Sequence, residues 1–467
     1  MALTHFDLVI IGSGPGGYVA AVRASQLGMN VAVVERDRLG GVCLNWGCIP
    51  TKALLKSADV FATLAHAKDY GIIANDPSFD FPAIIKRSRQ VADRMAKGVE
   101  FLFKKHHITH FAGTGRLIKP DQVAVVDDTG NITHELSARF ILIATGARPR
   151  SIPGVPIDGS RVISSKHALT LEKLPQSMIV IGAGAIGMEF AYFYHTFGCQ
   201  VTILEMMPTV LPIEDAEIAD AVARSFKKSK ISIHTNSLVK QVTAHDQGVS
   251  VVFETNNQTT ELQAEMALMA IGVQGNYEGL GLEELGIAVE KSYIKINKTT
   301  YQTSIDHIYA IGDIIGPPWL AHVASAEGIC AVEHIKGMAP KPIDYANIPG
   351  CTYCQPQVAS IGLSEQKALE LGYSIKVGRF PFVANGKSLA MGEREGFVKL
   401  IFDARTELLL GAHIVHAEAT ELIGELSVIK SNAVTASALV KTIHAHPTLS
   451  EAVMEAAAAA RGEAIHG

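Results

Sequence analysis

Through its first two-thirds the chain alternates short apolar runs, glycine clusters and helix-spaced segments. Residues 6–11 read as a buried strand, 18–27 as a helix, and 31–34 as a second strand ending at Glu35. The turn after the first strand is Gly12-Ser13-Gly14-Pro15-Gly16-Gly17. The same elements return at 178–181, 188–197 and 201–204, with Gly182-Ala183-Gly184-Ala185-Ile186-Gly187 as the turn and Glu205 at the end. Gly12, Gly14, Gly17 and Glu35 map onto Gly182, Gly184, Gly187 and Glu205 at one constant offset of 170 residues. That is an internal repeat of architecture. Between the copies lie a charged helical segment at about 81–106, hairpin-like strands, a strand at 140–144 and Thr145-Gly146-Ala147-Arg148-Pro149. Pro153 and Pro156 predict a linker into the second copy. After Gly275 the pattern loosens until Ile308-Tyr309-Ala310-Ile311-Gly312-Asp313. From Ile348 strands and helices alternate without a glycine fingerprint, and 451–460 is an alanine-rich helix.

Each glycine cluster has a strand before it, a helix after it and an acid at the end of the next strand. A dinucleotide site needs this layout. The first glycine makes the tight turn, the second lets backbone approach a pyrophosphate, and the third lets helix and strand pack closely. The helix N-terminus holds the phosphate charge. Glu35 and Glu205 are placed to accept hydrogen bonds from a ribose. A carboxylate at Glu205 repels a 2′-phosphate, and Met206 and Met207 offer no cation, so NAD is expected over NADP. The expected fold is therefore α/β with two Rossmann-like dinucleotide-binding domains.

Length and composition narrow the class. A chain of 467 residues exceeds a single core. With 48% hydrophobic and 19% charged residues its balance is that of a globular protein. A net charge of -5 argues against nucleic acid or an anionic membrane as partner. The longest apolar run, around 178–188, is broken by glycines and too short to span a bilayer. The expectation is a cytoplasmic protein with no signal segment before its first strand.

Six cysteines in a chain of this size do not suggest a disulfide framework. Cys199 and Cys330 lie in apolar surroundings and read as core residues. Cys43 and Cys48 stand in Gly40-Gly41-Val42-Cys43-Leu44-Asn45-Trp46-Gly47-Cys48-Ile49-Pro50-Thr51-Lys52, shortly after the first ribose-binding acid. A C-x4-C pair at a loop-to-helix start closes a disulfide if the backbone bends, and Gly40, Gly41 and Gly47 permit bending. The positive end of a helix favours a thiolate there, and Lys52 would point the same way as Cys48. Two buried thiols or half a zinc site remain alternatives. Cys351-Thr352-Tyr353-Cys354 has half-site spacing too, but no neighbouring His or Cys set, so thiols on a strand are the better reading.

The segment from Gly41 to Lys52 resembles the redox motif of the pyridine nucleotide-disulfide oxidoreductases, and among them the branch that oxidises dihydrolipoamide. The resemblance covers the whole chain. It includes both glycine fingerprints, Ala144-Thr145-Gly146, Tyr309-Ala310-Ile311-Gly312-Asp313, Leu320-Ala321-His322 and His444-Ala445-His446-Pro447-Thr448-Leu449-Ser450-Glu451. It implies an FAD-binding domain at 1–149, an NAD-binding domain at 150–275, a central segment at 276–347 that completes the FAD site, and an α+β dimerisation domain at 348–467. It implies FAD, NAD, a lipoamide substrate on the lipoyl domain of a multienzyme complex, and a homodimer.

The resemblance also implies site residues. Cys43 would meet the substrate and Cys48 the flavin, with His446 as base and Glu451 orienting it. The dyad's histidine would come from the other subunit. From the residues alone Glu451 is equally a local capping-box acid in Thr448-Leu449-Ser450-Glu451. His444 and His322 rank below His446 as base. Gly41, Val42, Lys52, Gly115, Thr145, Gly146, Asp313, Ala321 and His322 match flavin contacts. Glu189 matches the carboxylate partner of Lys52, with a helix-surface acid as the alternative. Val239 and Gly272 match NAD contacts. Departures are Val273 and Gly275 where many relatives carry Arg and Pro, Gln357 in place of Glu, and His416 in place of Gly. Rival readings are a glutathione or mercuric-ion reductase, a flavoprotein scaffold, and a zinc-dependent structural protein. Glu205 and the lack of any cysteine after Cys354 count against the first.

Overall fold

The strand Thr4–Ile11, the helix Pro15–Gln26 and the strand Val31–Glu35 form where the apolar alternation places them. All five residues of Val31–Glu35 are buried, and its three valines suit a covered parallel strand. Proline at the first turn of the helix fixes its start without losing a hydrogen bond. The computed structural model describes residues 3–466 and divides into two units.

The first unit holds residues up to Ala53, Pro82–Arg150 and Gly272–Ile343. Its sheet runs Thr109–Ala112, Val31–Glu35, Thr4–Ile11, Ile132–Ile143, Gln122–Val126, Thr114–Lys119. The first four strands are parallel, and the last two return as the hairpin the sequence suggests. Ile308–Ala310 adds a parallel strand beside Ile132–Ile143, so the loosely patterned stretch after Gly275 folds into this unit. Helix Pro15–Gln26 buries Gly16, Gly17, Ala20, Ala21 and Ala24. Such small residues let helix Ala321–Ile335 come close: a Cβ at Gly328 would stand 2.7 Å from the Gly16 carbonyl oxygen. Arg23 and Glu333 pair across the two helices at 2.6 Å.

The second unit holds Leu54–Phe81, Ser151–Ile271 and the chain from Asp344. Ser232–His234, Gln200–Leu204, Ser177–Ile181, Met266–Met269 and Val162–Ser164 form a parallel sheet in that order. Ser237–His245, Gly248–Thr255 and Gln258–Ala264 form a separate antiparallel sheet. From Gly350 the chain makes a five-stranded antiparallel sheet covered by helices Ala419–Ser431 and Glu451–Arg461. Phe380, Phe402, Ile414, Leu426 and Val453 lie in its core. The fold is thus α/β, two Rossmann-like lobes followed by an α+β lobe. No helix among the described residues is long and apolar enough to cross a membrane.

Lys399 lies in that last sheet, yet its side chain is only 2% exposed. Its ammonium reaches Asp215 at 2.8 Å, Glu217 at 2.7 Å and Glu365 at 2.8 Å, the pairing a buried charge requires. Gln357 accepts from the Thr420 amide and hydroxyl at the start of helix Ala419–Ser431. His416 is fully buried and stacks on Phe382 at 3.9 Å. Both departures from the family pattern are therefore absorbed by packing.

Candidate active site

The two glycine turns are built alike. In the first, a Cβ at Gly12 would lie 2.3 Å from the Ala144 carbonyl oxygen, and one at Gly17 2.0 Å from that of Gly12. At Gly14 a Cβ would meet nothing within 4 Å. In the second, the Cβ distances are 2.5 Å from Ala270 at Gly182 and 1.9 Å from Gly182 at Gly187, and Gly184 is open. The outer glycines are thus fixed by packing, while the middle one presents bare backbone at the helix start. That is the shape that admits a pyrophosphate. Neither helix has a side-chain cap among the described residues, so its first N–H groups point at that opening.

The acids that follow both turns are held by hydrogen bonds. Glu35 accepts from the Ser13 amide at 2.8 Å, the Ser13 hydroxyl at 2.7 Å and the Asp37 amide at 2.9 Å. Glu205 accepts from the Ala183 amide at 2.6 Å and the Met207 amide at 2.8 Å. Each carboxylate keeps lone pairs for a ligand hydroxyl. Ser13 escaped the sequence reading. Its hydroxyl also accepts from the Gly40 amide at 3.2 Å, tying the first glycine turn to the cysteine segment. A serine inside a fingerprint gives no other signal.

The cysteine segment differs from the expected loop-to-helix start. Cys43 sits inside a helical turn, Gly41–Trp46, and Cys48 is the first residue of a second helix, Cys48–Ala65. Gly47, at φ −149 and ψ −114, breaks the two apart. Gly40 enters the turn at φ +97, and a Cβ on Gly41 would stand 2.7 Å from the Gly14 Cα. The cysteines therefore bracket a helix break laid against the first dinucleotide turn. The Cys43 and Cys48 side chains hydrogen-bond to each other. That bond first, then burial and the Cys48 charge, hold the Cys43 thiol well above its ordinary value, with Lys52 acting the other way. Tyr18 lies beside Cys43 and is shifted up by burial and then by that cysteine. Val42 is exposed.

Asp313 lies in the short 3-10 turn Gly312–Ile315. Burial, then Glu327, pushes its carboxyl up to about 6. Ala321 and His322 open helix Ala321–Ile335. The Thr145 hydroxyl donates to the Asn276 carbonyl at 2.9 Å, and the Asn276 amide donates to Gly146 at 3.0 Å. Gly115 is packed on Ile11, where a Cβ would come within 2.8 Å of its side chain. These residues share the first unit with the cysteines. Gly272, Val273 and Gly275 lie there too, paired along residues 147–150.

In the second unit Val239 lies on strand Ser237–His245 of the three-stranded sheet, with its side chain in the core. Glu189 is not a helix-surface acid: it is 4% exposed and accepts from the Tyr353 amide at 3.0 Å. The two readings of Glu451 both hold. One oxygen takes the Thr448 amide at 2.8 Å and the other the His446 Nδ1 at 2.9 Å. The Thr448 hydroxyl turns to Ala445 instead, so only the acid's half of the capping box forms. Burial opposes ionisation of Glu451, but the Thr448 amide and then His446 outweigh it and lower its carboxyl. The His446 side chain is 78% exposed. His444 is half-buried and pairs with Glu425 at 2.8 Å. Cys351 lies on the strand Gly350–Thr352, whereas Cys354 lies beyond it, buried, with its sulfur 3.3 Å from the Pro356 carbonyl oxygen. Among the described residues no three His, Cys, Asp or Glu side chains cluster to hold a metal ion.

Comparison with known proteins agrees with this geometry. Residues 6–328 match the pyridine nucleotide-disulphide oxidoreductase family model, and 348–457 match its dimerisation domain. A dihydrolipoyl dehydrogenase of Zymomonas mobilis subsp. mobilis is 47% identical over 99% of both chains. One of Bacillus subtilis is 44% identical over 99% of both. The crystal structure of LpdA from Mycobacterium tuberculosis superposes with a TM-score of 0.89 at 30% identity, covering 97% of this chain and 99% of that one. The chain belongs to the pyridine nucleotide-disulphide oxidoreductase family.

Proposed function

We propose that the protein oxidises protein-bound dihydrolipoamide to lipoamide and reduces NAD. The observation that carries this reading is the hydrogen-bonded Cys43–Cys48 pair, tied through Ser13 to a dinucleotide turn. FAD fits the first turn, held by Gly12, Gly14, Gly17, Glu35, Gly41, Val42, Lys52, Gly115, Thr145, Gly146, Asp313, Ala321 and His322. NAD fits the second, where Gly182, Gly184, Gly187, Glu205 and Val239 would hold it. A bound flavin supplies two-electron exchange between a dithiol and a nicotinamide.

The chain's own residues handle the thiols and the proton. Glu451 occupies the Nδ1 side of His446 and leaves Nε2 to take a proton from the incoming dithiol. The substrate thiolate attacks Cys43, and Cys48 leaves as a thiolate. Its place at the head of a helix suits that charge. The second substrate sulfur then attacks the first, the lipoyl ring closes, and Cys43 is released. The pair has gained the two electrons the substrate lost.

The dimerisation-family match and the exposed His446 support a homodimer in which each subunit lends this histidine to the other. The names of the curated relatives support a lipoyl domain of a 2-oxo acid dehydrogenase or glycine-cleavage complex as partner. Buried thiols at Cys199 and Cys330 suit the reducing cytoplasm. The test is NAD-linked oxidation of dihydrolipoamide by the purified flavoprotein. Turnover with NAD well above that with NADP is expected. Equal or better turnover of glutathione with NADPH would overturn the reading.

A further inference from the structure

The long helix Phe81–Lys105 reaches the cysteine segment through two arginines. Arg89 donates from Nη1 to the Asn45 carbonyl at 2.6 Å, and its guanidinium carbon lies 4.3 Å from the centre of the Trp46 ring. Its Nη2 is buried with no hydrogen-bond partner among the described residues. Arg87 donates to the Ala53 carbonyl at 2.7 Å, on the helix that starts at Cys48. The two short-range carriers of the sulfurs are thus each fastened to one helix.

The need for Arg89 follows from the helix break. In a continuing helix the Asn45 carbonyl would accept from the amide four residues on. The break at Gly47 strands it as a helix-end carbonyl. Arg89 supplies the missing donor and covers the ring beside it, a cation–π distance. On the other side Asn45, fully buried, donates to the Leu39 and Gly41 carbonyls at 3.0 Å each. The Trp46 indole donates to Asp37 at 3.0 Å, and Arg38 pairs with Asp93 of the long helix at 2.5 Å. Asn45 and Trp46 are the middle of the Cys43–Cys48 loop, so what holds them holds the distance between the sulfurs.

We propose that Arg89 is a positioning residue for the redox pair. By clamping the Asn45 carbonyl and the Trp46 ring it keeps the two sulfurs together and so lowers the pair's reduction potential. This rests on the reading of Cys43 and Cys48 as a redox pair. A preorganised loop raises the effective concentration of one thiol at the other, which favours the disulfide. Loosening the loop favours the dithiol.

The test equilibrates the holoenzyme without oxygen in dithiothreitol buffers of graded oxidised-to-reduced ratio. Each dithiothreitol that closes to its cyclic disulfide gives two electrons and two protons, and the Cys43–Cys48 bond opens to two thiols. Alkylation and mass spectrometry then count the thiols at Cys43 and Cys48. Arg89→Ala is expected to favour the dithiol about tenfold, or about 30 mV. Arg89→Lys should fall between it and the native protein, since an ammonium keeps a donor but not the planar stack. Lys86→Ala, an exposed change on the same helix, should match the native protein. An Arg89→Ala equilibrium within twofold of native overturns the proposal. If Arg89→Ala does not fold, Trp46→Leu must shift the equilibrium in the same direction, and no shift overturns it. A native protein whose Cys43 and Cys48 do not respond to the buffer would instead sink the redox-pair reading itself.

Discussion

Glu451→Gln separates the orienting role of this acid from its structural one. The glutamine oxygen can still accept the Thr448 amide, so the start of helix Glu451–Arg461 survives. Its NH2 now faces the His446 Nδ1, which must accept rather than donate. The imidazole proton moves to Nε2, where the base has to be vacant. A charge-assisted hydrogen bond is worth about 1.5–3 kcal/mol. His446 is 78% exposed, so the carboxylate's attraction for the imidazolium is near the high-dielectric limit, about 1 kcal/mol at 4 Å. The two figures describe one interaction, so the loss lies within that range and lowers kcat for dihydrolipoamide by about 10- to 10²-fold. NADH oxidation by ferricyanide, which bypasses the thiols, should be unchanged, as should the melting temperature. A Glu451→Gln enzyme with kcat within threefold of native refutes the dyad.

Three other outcomes follow from the same geometry. Gly17→Ala places a methyl 2.0 Å from a backbone oxygen, so the purified variant should lose most of its flavin, read from its visible absorbance. Lys399→Met leaves the buried Asp215 without its cation, while Glu217 and Glu365 keep Arg379, and should cost about 3 kcal/mol in denaturant unfolding. Burial, eased by Ser360 and reinforced by Asp215, pushes Glu214 up to about 7. The native state then binds this proton more tightly than the unfolded chain, whose Glu titrates near about 4.3. Stability from this group falls as pH rises between those values, and Glu214→Gln should flatten that slope.

The parts of the site set by local rules were legible in the sequence. Gly12 and Gly17, like Gly182 and Gly187, are required by contacts within one strand–turn–helix unit, so their spacing survives as a motif. The His446–Glu451 bond spans five residues and could be read as either of two local patterns, and the carboxylate, with two oxygens, does both. What was not legible depends on distant chain. Nothing near Ile308–Ala310 marks it as a strand beside Ile132–Ile143, because parallel pairing carries no local turn signal. Glu189 looks like a surface acid until Tyr353 arrives 164 residues later. Nothing local to Lys399 marks it as buried; three carboxylates from other segments enclose it. The helix break at Gly47 turned an expected loop into two helices, and only Arg89, far along the chain, shows what secures it.

The central claim is that Cys43 and Cys48 form a redox pair in electronic contact with a flavin. An anaerobic reductive titration of the yellow protein tests it most directly. The first electrons should enter the thiols, with a long-wavelength absorption from a thiolate lying against oxidised flavin, and the flavin should bleach only afterwards. In Cys43→Ser, which cannot form the disulfide, the flavin should bleach with the first reductant added. If the native protein bleaches from the start, as the variant does, the claim is contradicted.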